Sequence, residues 1–350
     1  MKKILIDLYK VKNEYSGLGQ FSFQFARYLS EHHSHEFDFH FLVPRGIEFN
    51  FSPLVTLKRV SPLYRFWKSS HEQYDLWHSL HQFHKYSPPQ AFKHLLTVHD
   101  LNYKKEKNAT KQLRYAQKLE SEIKSANHLT SISNYTKSQI QVSFPKDSTE
   151  IEVIHNGVDH LPDISPTRPN VRVGDKFFFS ISLFTKKKNF EVLLPMMKLF
   201  PNYTLVLAGD HDTKYGQKIK EEIRNLGLEK RIILTGKIPT SEKVYYMQLC
   251  NAFLFPSLAE GFGMPPVEAM QFGKPVFLSN SSSLPEIGGE SAYYFPDYDP
   301  TSMANCIKYN LKEFESNSYH NSERVQSQAA KFTWANSMEK YLNLYRKLTQ

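Results

Sequence analysis

Cysteine is almost missing from this chain. Cys250 and Cys306 are its only two, and neither sits in a C-x-x-C pair. That excludes a disulfide framework and a thiolate zinc site, and it fits a reducing cytoplasm. No run approaches the roughly 20 apolar residues that a membrane span needs, so the expectation is a soluble or peripheral protein. The opening MKKILIDLYKV begins like a signal peptide, but Asp7 interrupts the apolar run too early for an h-region, and the stretch reads as a first strand. Fixed-period repeats, low-complexity tracts, long basic tracts and nucleic-acid modules are absent as well, so nucleic acid is not an expected partner. Present in excess are positive charge, with 44 Lys and Arg against 35 Asp and Glu, and aromatics, with 26 Phe and 20 Tyr. A net charge of +9 favours anionic partners such as nucleotide phosphates or an acidic lipid surface.

A length of 350 residues predicts two domains. Strand-like runs (KKILIDLY, FDFHFLVP, HLLTVHD, HLTSIS, IEVIHNG, then KFFFSIS, YTLVLAGD, RIILTGK, AFLFPS, KPVFLS) alternate with helix-length segments such as GQFSFQFARYLSEH and NFEVLLPMMKLF. Such alternation predicts parallel sheets covered by helices, with ligands beyond the carboxyl ends of the strands. HLPDISPTRPNVRVGD (160–175), with three prolines and no apolar period, is the predicted boundary. In the tail, Trp334, Met338, Tyr341, Leu342 and Tyr345 recur at helical spacing.

The most informative stretch is EGFGMPPVE, in which Glu260 and Glu268 bracket two glycines and two prolines between strand-like runs. Pro265 and Pro266 suit a helix start, and Gly273 its end. A strand, a glycine loop and a helix N-terminus together offer the amides of Gly261 to Met264 to a phosphate. Carboxylates repel phosphate, so the two acids point to sugar hydroxyls: Glu268, expected in the first helical turn, to a ribose diol, and Glu260 to a second sugar. The competing reading makes Glu268 a helix-dipole acid and Glu260 a loop residue.

EGFGMPPVE resembles the E-x7-E motif of the retaining glycosyltransferases of family 4. SGLGQFSFQFARYLS, TVHDLNY, SISNYTKSQI, VIHNGVD, KKKNFEVLL, LAGD and SSSLPEIGGESAYYFPDYD resemble other family segments in the family's order. The resemblance implies an α/β GT-B fold. Its two Rossmann-like domains, 1–168 for acceptor and 169–330 for donor, face each other across a cleft, and a terminal helix, 331–350, packs back on the first. It implies catalytic roles for His99, Lys188 and Glu260. It assigns donor binding to Gly17, Gly19, Lys187, Gly261, Phe262, Gly263, Met264 and Glu268, with Asp100 positioning His99. Where many members carry an arginine, six positions before the motif lysine, this chain has Ser182, so Lys187 beside Lys188 is the expected second cation.

The implied reaction moves a sugar from a nucleoside diphosphate to a glycan or lipid-linked acceptor in bacterial surface polysaccharide synthesis, without metal or other cofactor. Mannose on GDP is favoured and UDP-sugars are open. The implied place is the cytoplasm, with peripheral contact on the inner face of an anionic membrane. The alternatives are a sugar-nucleotide epimerase of the same fold and a non-catalytic glycan-binding subunit. Three other patterns carry less. Asp297 and Asp299 form a D-x-D, read here as a turn opening a helix. His78, His81 and His84, three apart, would align on a helix but have no completing acid or cysteine. SGLGQF has Ser22 where a dinucleotide fingerprint needs its third glycine, and no G-x-S-x-G is present.

Overall fold

In the computed structural model, which describes residues 1–13, 17–46, 48–60, 73–86, 93–145, 149–171 and 173–350, the apolar runs form two all-parallel sheets. Ser16 of SGLGQF and Arg172 of the expected boundary lie outside the described residues. Parallel strands are covered on both faces, which is why they read as nearly unbroken apolar runs rather than alternating ones.

The first unit comprises residues 1–157 and 334–350. Its strands are β1 (Lys3–Asp7), β2 (Asp38–Pro44), β3 (Thr56–Val60), β4 (Leu76–Ser79), β5 (Lys93–Val98), β6 (His128–Ser131) and β7 (Ile151–Val153). Their order in the sheet is β3-β2-β1-β4-β5-β6-β7. Helices α1 (Gly17–His32), α2 (Tyr103–Glu106), α3 (Ala109–Ser125) and α4 (Asn134–Ser143) lie between strands in the chain. Phe21, Phe25 and Leu29 of α1 join Ile4, Ile6, Phe39 and Phe41 in one buried cluster.

The second unit, 158–333, has β8 (Phe177–Ile181), β9 (Thr204–Ala208), β10 (Ile232–Gly236), β11 (Ala252–Phe255), β12 (Val276–Ser279) and β13 (Tyr293–Phe295). They are ordered β10-β9-β8-β11-β12-β13, the 3-2-1-4-5-6 order of a Rossmann sheet. Its helices are α5 (Leu193–Met196), α6 (Lys214–Asn225), α7 (Thr240–Leu249), α8 (Met264–Met270), α9 (Leu284–Gly288), α10 (Pro300–Ser316) and α11 (Ser318–Ala329). NFEVLLPMMKLF, expected as one helix, is a single turn of α5 between two 3-10 turns. Pro195 has no amide to give an α-helical ladder there.

The final helix, α12 (Trp334–Leu348), belongs to the first unit. Trp334, Met338, Tyr341, Leu342 and Tyr345 are buried in the cluster with Phe25 and Phe39. A sealed polar chain fixes it: His78 bonds Tyr345 through Nδ1 (2.7 Å) and Thr97 through Nε2 (2.8 Å), and Thr97 bonds Thr130 (2.7 Å). The division falls at Gly157/Val158, eleven residues before 168, because the proline-rich segment is bonded into the second unit. The Leu161 amide donates to Gln271 Oε1 (2.9 Å) and the Thr167 amide to the Ser241 carbonyl (3.1 Å).

Candidate functional site

In the second unit β8 and β11 are neighbours, and the strand order reverses between them. Ligands of open α/β sheets bind beyond the carboxyl ends of the strands at such a switch point. The KKKN segment leaves β8 and the EGFG loop leaves β11, so both expected phosphate-binding segments sit at the reversal. They are tied together by backbone: the Lys187 carbonyl accepts from the Leu258 amide (2.7 Å) and from Ser257 Oγ (3.2 Å). Lys186–Lys188 make a 3-10 turn that ends on Asn189 at φ 56°, buried. Asparagine is among the few side chains that tolerate that left-handed conformation.

The Lys188 ammonium pairs with the Glu260 carboxylate and lies 5.3 Å from the Phe255 ring centroid. Both partners have side chains about nine-tenths covered. From Glu260 the chain runs through buried Gly261, Phe262 and Gly263 to half-buried Met264. Gly263 has φ 121°, and a Cβ there would meet Leu284 at 2.9 Å, so the position needs glycine twice over. The Phe262 ring packs edge-on against Phe332 (5.5 Å), which leaves only its backbone for a ligand.

The prolines occupy the opening turn of α8, as expected, but Glu268 does not: the helix starts at Met264, and its first turn holds no acid. Glu268 is therefore not placed as a helix-dipole acid. It pairs instead with Lys243 of α7 at 2.6 Å. Each glutamate of the E-x7-E spacing thus carries a lysine from a different element, one after β8 and one on α7.

Lys243 was not legible in the sequence as a site residue, since it is one of several cations in helical segments. Nor were two serines that set the loop. Ser282, at φ 57°, accepts the Glu260 amide on its Oγ (2.9 Å). Ser283 Oγ donates to the Phe262 carbonyl (2.6 Å) and lies 3.2 Å from that of Glu260. The available signal was the SSS run just before the short helix α9. Ser182, the departure from the family's arginine, follows β8 with its amide on the Ala208 carbonyl (3.0 Å). Its own carbonyl lies 1.9 Å from where a Cβ on Gly209 would be.

In the first unit His99 follows β5 and is 4% exposed. Burial pushes its pKa down to about 4, so the ring is neutral at pH 7. Its Nε2 lies 2.7 Å from the Leu80 carbonyl, an acceptor, so Nε2 carries the proton and Nδ1 remains an acceptor. Its backbone is engaged on both sides, the amide to Gln82 Oε1 (3.0 Å) and the carbonyl from Thr136 Oγ1 (3.1 Å). Gln82, also unforeseen, holds His99 and Asp100 together, because its Nε2 donates to the Asp100 carbonyl (2.8 Å). The Asp100 carboxylate accepts from the Asn102 amide (2.9 Å). Gly17 is exposed at the start of α1. Gly19 is buried, and a Cβ there would lie 1.9 Å from the Asn13 carbonyl, so its glycine serves packing inside this unit.

The secondary patterns resolve as structure. Asp299 caps α10, accepting from the Thr301 and Ser302 amides (both 2.9 Å), while Asp297 accepts the Asp299 amide. His78, His81 and His84 do not share a helix: His78 is in β4, the Phe83 amide donates to His81 Nδ1 (2.9 Å), and His84 pairs with Glu122 (2.8 Å). A strand alternates its side chains with a period of two, and the chain turns after Ser79, so a spacing of three aligns nothing here. Among the described residues no helix is long and apolar enough to cross a membrane.

Residues 17–160 match the family described as Glycosyltransferase Family 4, and residues 164–331 match Glycosyl transferases group 1. The serotype-specific mannosyltransferase WbdA of Escherichia coli is 31% identical over 182 residues, which is 50% of this chain but 22% of that protein. The O-antigen chain mannosyltransferase B of Escherichia coli is 26% identical over 283 residues, covering 75% of this chain and 72% of that one. Among solved structures, a sucrose-phosphate synthase from Thermosynechococcus elongatus superposes with a TM-score of 0.79 over 99% of both chains at 17% identity. Anabaena HepE in complex with UDP and glucose does so with a TM-score of 0.74 at 18% identity, over 99% of this chain and 100% of that one. The first part of the chain is therefore similar to family 4 glycosyltransferases and the second to glycosyl transferases group 1, and the two Rossmann-like units have the GT-B fold.

Proposed function

We propose that this chain is a retaining glycosyltransferase that moves a hexose, with GDP-mannose the favoured donor, to a glycan or lipid-linked acceptor in surface polysaccharide synthesis. The observation that carries the reading is the convergence of Lys188, Glu260, the glycine loop and Glu268 at the switch point of the second sheet. Glu268 accepts from the ribose diol, the loop amides and Lys188 receive the diphosphate, and Glu260 accepts from donor-sugar hydroxyls. Breaking the anomeric bond leaves negative charge on the diphosphate, and preorganised amides and an ammonium stabilise it without metal. Retention follows from front-face attack, with the departing phosphate accepting the acceptor's proton. Neutral His99 serves as a hydrogen-bond acceptor through Nδ1 for a sugar hydroxyl. The mannosyltransferase relatives support the donor, and the O-antigen relative supports the acceptor class. The net charge of +9 supports a cytoplasmic site of action with peripheral contact on an anionic membrane.

The test is a thermal-shift panel of nucleoside diphosphates and nucleotide sugars, followed by transfer from labelled GDP-mannose to a polyprenyl-diphosphate glycan in chelator. The expected results are stabilisation by GDP, acceptor-dependent GDP release and an α-linked product by NMR. No shift with any nucleoside diphosphate at millimolar concentration refutes the reading, and acceptor-independent conversion of the donor's sugar to its epimer makes the chain an epimerase.

A further inference from the structure

The lysine ion pairs of the described residues divide sharply by exposure. Lys2, Lys124, Lys218, Lys220, Lys237 and Lys347 all keep side chains 32% or more exposed in their pairs. Lys188 and Lys243 are 11% and 17% exposed. Both covered lysines go to acids at the two ends of one loop and helix, although they come from different elements. A covered pair costs desolvation that an exposed pair does not, so surface solvation does not account for it. The Lys243 ammonium takes Glu268 Oε1. Oε2 has no polar protein partner among the described residues and is not sealed from solvent. Glu268 is thus held by one oxygen and offers the other.

From this arrangement we infer that Lys243 is a positioning residue for Glu268, fixing the carboxylate so that its outer oxygen meets the ribose hydroxyls of a bound nucleoside diphosphate. The inference rests on the reading of Glu268 given above and deepens it. Lys243 is not itself assigned to the diphosphate, and its contribution is discrimination between ribose and deoxyribose. Carboxylate side chains carry several rotamers, and a second charged partner restricts them. A lysine that merely joined α7 to α8 would affect stability and leave sugar discrimination alone.

The experiment is calorimetric titration of the full chain with GDP, UDP and their 2′-deoxy counterparts, for wild type, Glu268→Gln, Lys243→Met, Lys243→Arg and the Glu268→Gln/Lys243→Met double variant. A charge-assisted hydrogen bond predicts about a tenfold or greater ribose preference in wild type. Glu268→Gln and Lys243→Met should each bring that ratio close to unity, with no further loss in the double variant. Lys243→Arg should restore most of it. If Lys243→Met unfolds, Lys243→Gln, which keeps a donor and loses the charge, replaces it and should give an intermediate ratio. A wild-type ratio in Lys243→Met overturns the inference, whether or not overall affinity falls, and so does an additive double variant. A wild-type ratio in Glu268→Gln, or no binding of either nucleotide by wild type, instead overturns the parent assignment of Glu268.

Discussion

Glu260→Gln should tighten the binding of a plain nucleoside diphosphate while nearly abolishing transfer. The Glu260 carboxylate pairs with the Lys188 ammonium, and side chains 12% and 11% exposed put the pair at the edge of the protein interior. A diphosphate that reaches Lys188 must share it with this carboxylate and lie within several ångströms of its charge. At an effective dielectric of ~20, two unit charges ~6 Å apart interact by about 3 kcal/mol, and solvent screening reduces that by about half. Substituting the neutral amide removes this repulsion and frees the ammonium. The expected gain is about 1.4 kcal/mol, or tenfold in Kd for GDP or UDP. The amide still fills the space, so the loop geometry set by Ser282 and Ser283 is kept. Loss of an acceptor for the donor sugar should lower turnover by about 10²-fold, the scale of removing one transition-state hydrogen bond. Calorimetry at two salt concentrations measures the first effect and labelled-sugar transfer the second. In a Lys188→Met background the affinity gain should shrink. If Glu260→Gln leaves the Kd for both diphosphates unchanged or raises it, Lys188 is not the cation that the diphosphate recruits.

Two further outcomes concern the first unit. Stability should rise with pH between about 4 and 6.5, because His94 and His99 are held neutral by burial, with pKa values near 4, whereas in the unfolded chain they bind protons up to the ordinary 6.5. Asp7, raised to about 6 by burial, opposes this between 3.8 and 6, so His94→Asn should flatten the urea-unfolding profile and Asp7→Asn steepen it; an unchanged slope in His94→Asn refutes the assignment. Gly19→Ala places a Cβ 1.9 Å from the Asn13 carbonyl and 3.1 Å from that of Lys10, so backbone must move; a cost of about 2–4 kcal/mol is expected in urea unfolding, and a cost near zero rules out the close approach.

The long parallel strands were legible because burial on both faces writes an uninterrupted apolar run into the sequence, as in FFFSI and TLVLA. β3 was not, because TLKRV carries two cations on an edge strand, and neither were LWHS of β4 and YYF of the other edge strand, β13. Glycine and proline made the site's backbone legible, since Gly263 and the prolines of α8 have conformational requirements that residue type announces. The partners of that backbone are ordinary residues. Ser282 and Ser283 are marked only by the SSS run, and Lys243, which meets the Glu268 side chain, and Gln82 in the first unit have no local pattern that separates them from a surface lysine or a turn glutamine.

The switch point explains why these ordinary residues gather where they do. Because β8 and β11 are adjacent while 70 residues apart in sequence, their exit loops meet edge to edge, with the Lys187 carbonyl receiving both Ser257 and Leu258. That contact sets Lys188 opposite Glu260 without any sequence proximity between them. β12, the next strand outward, then delivers Ser282 and Ser283 beneath the same loop. The strand order converts three distant exit loops into one cradle, so the partners of Glu260 are fixed by topology. A reading confined to the neighbourhood of EGFGMPPVE finds the two glutamates and the loop; Lys188 is read from the KKKN segment, and only the fold pairs it with Glu260 and brings Lys243 to Glu268.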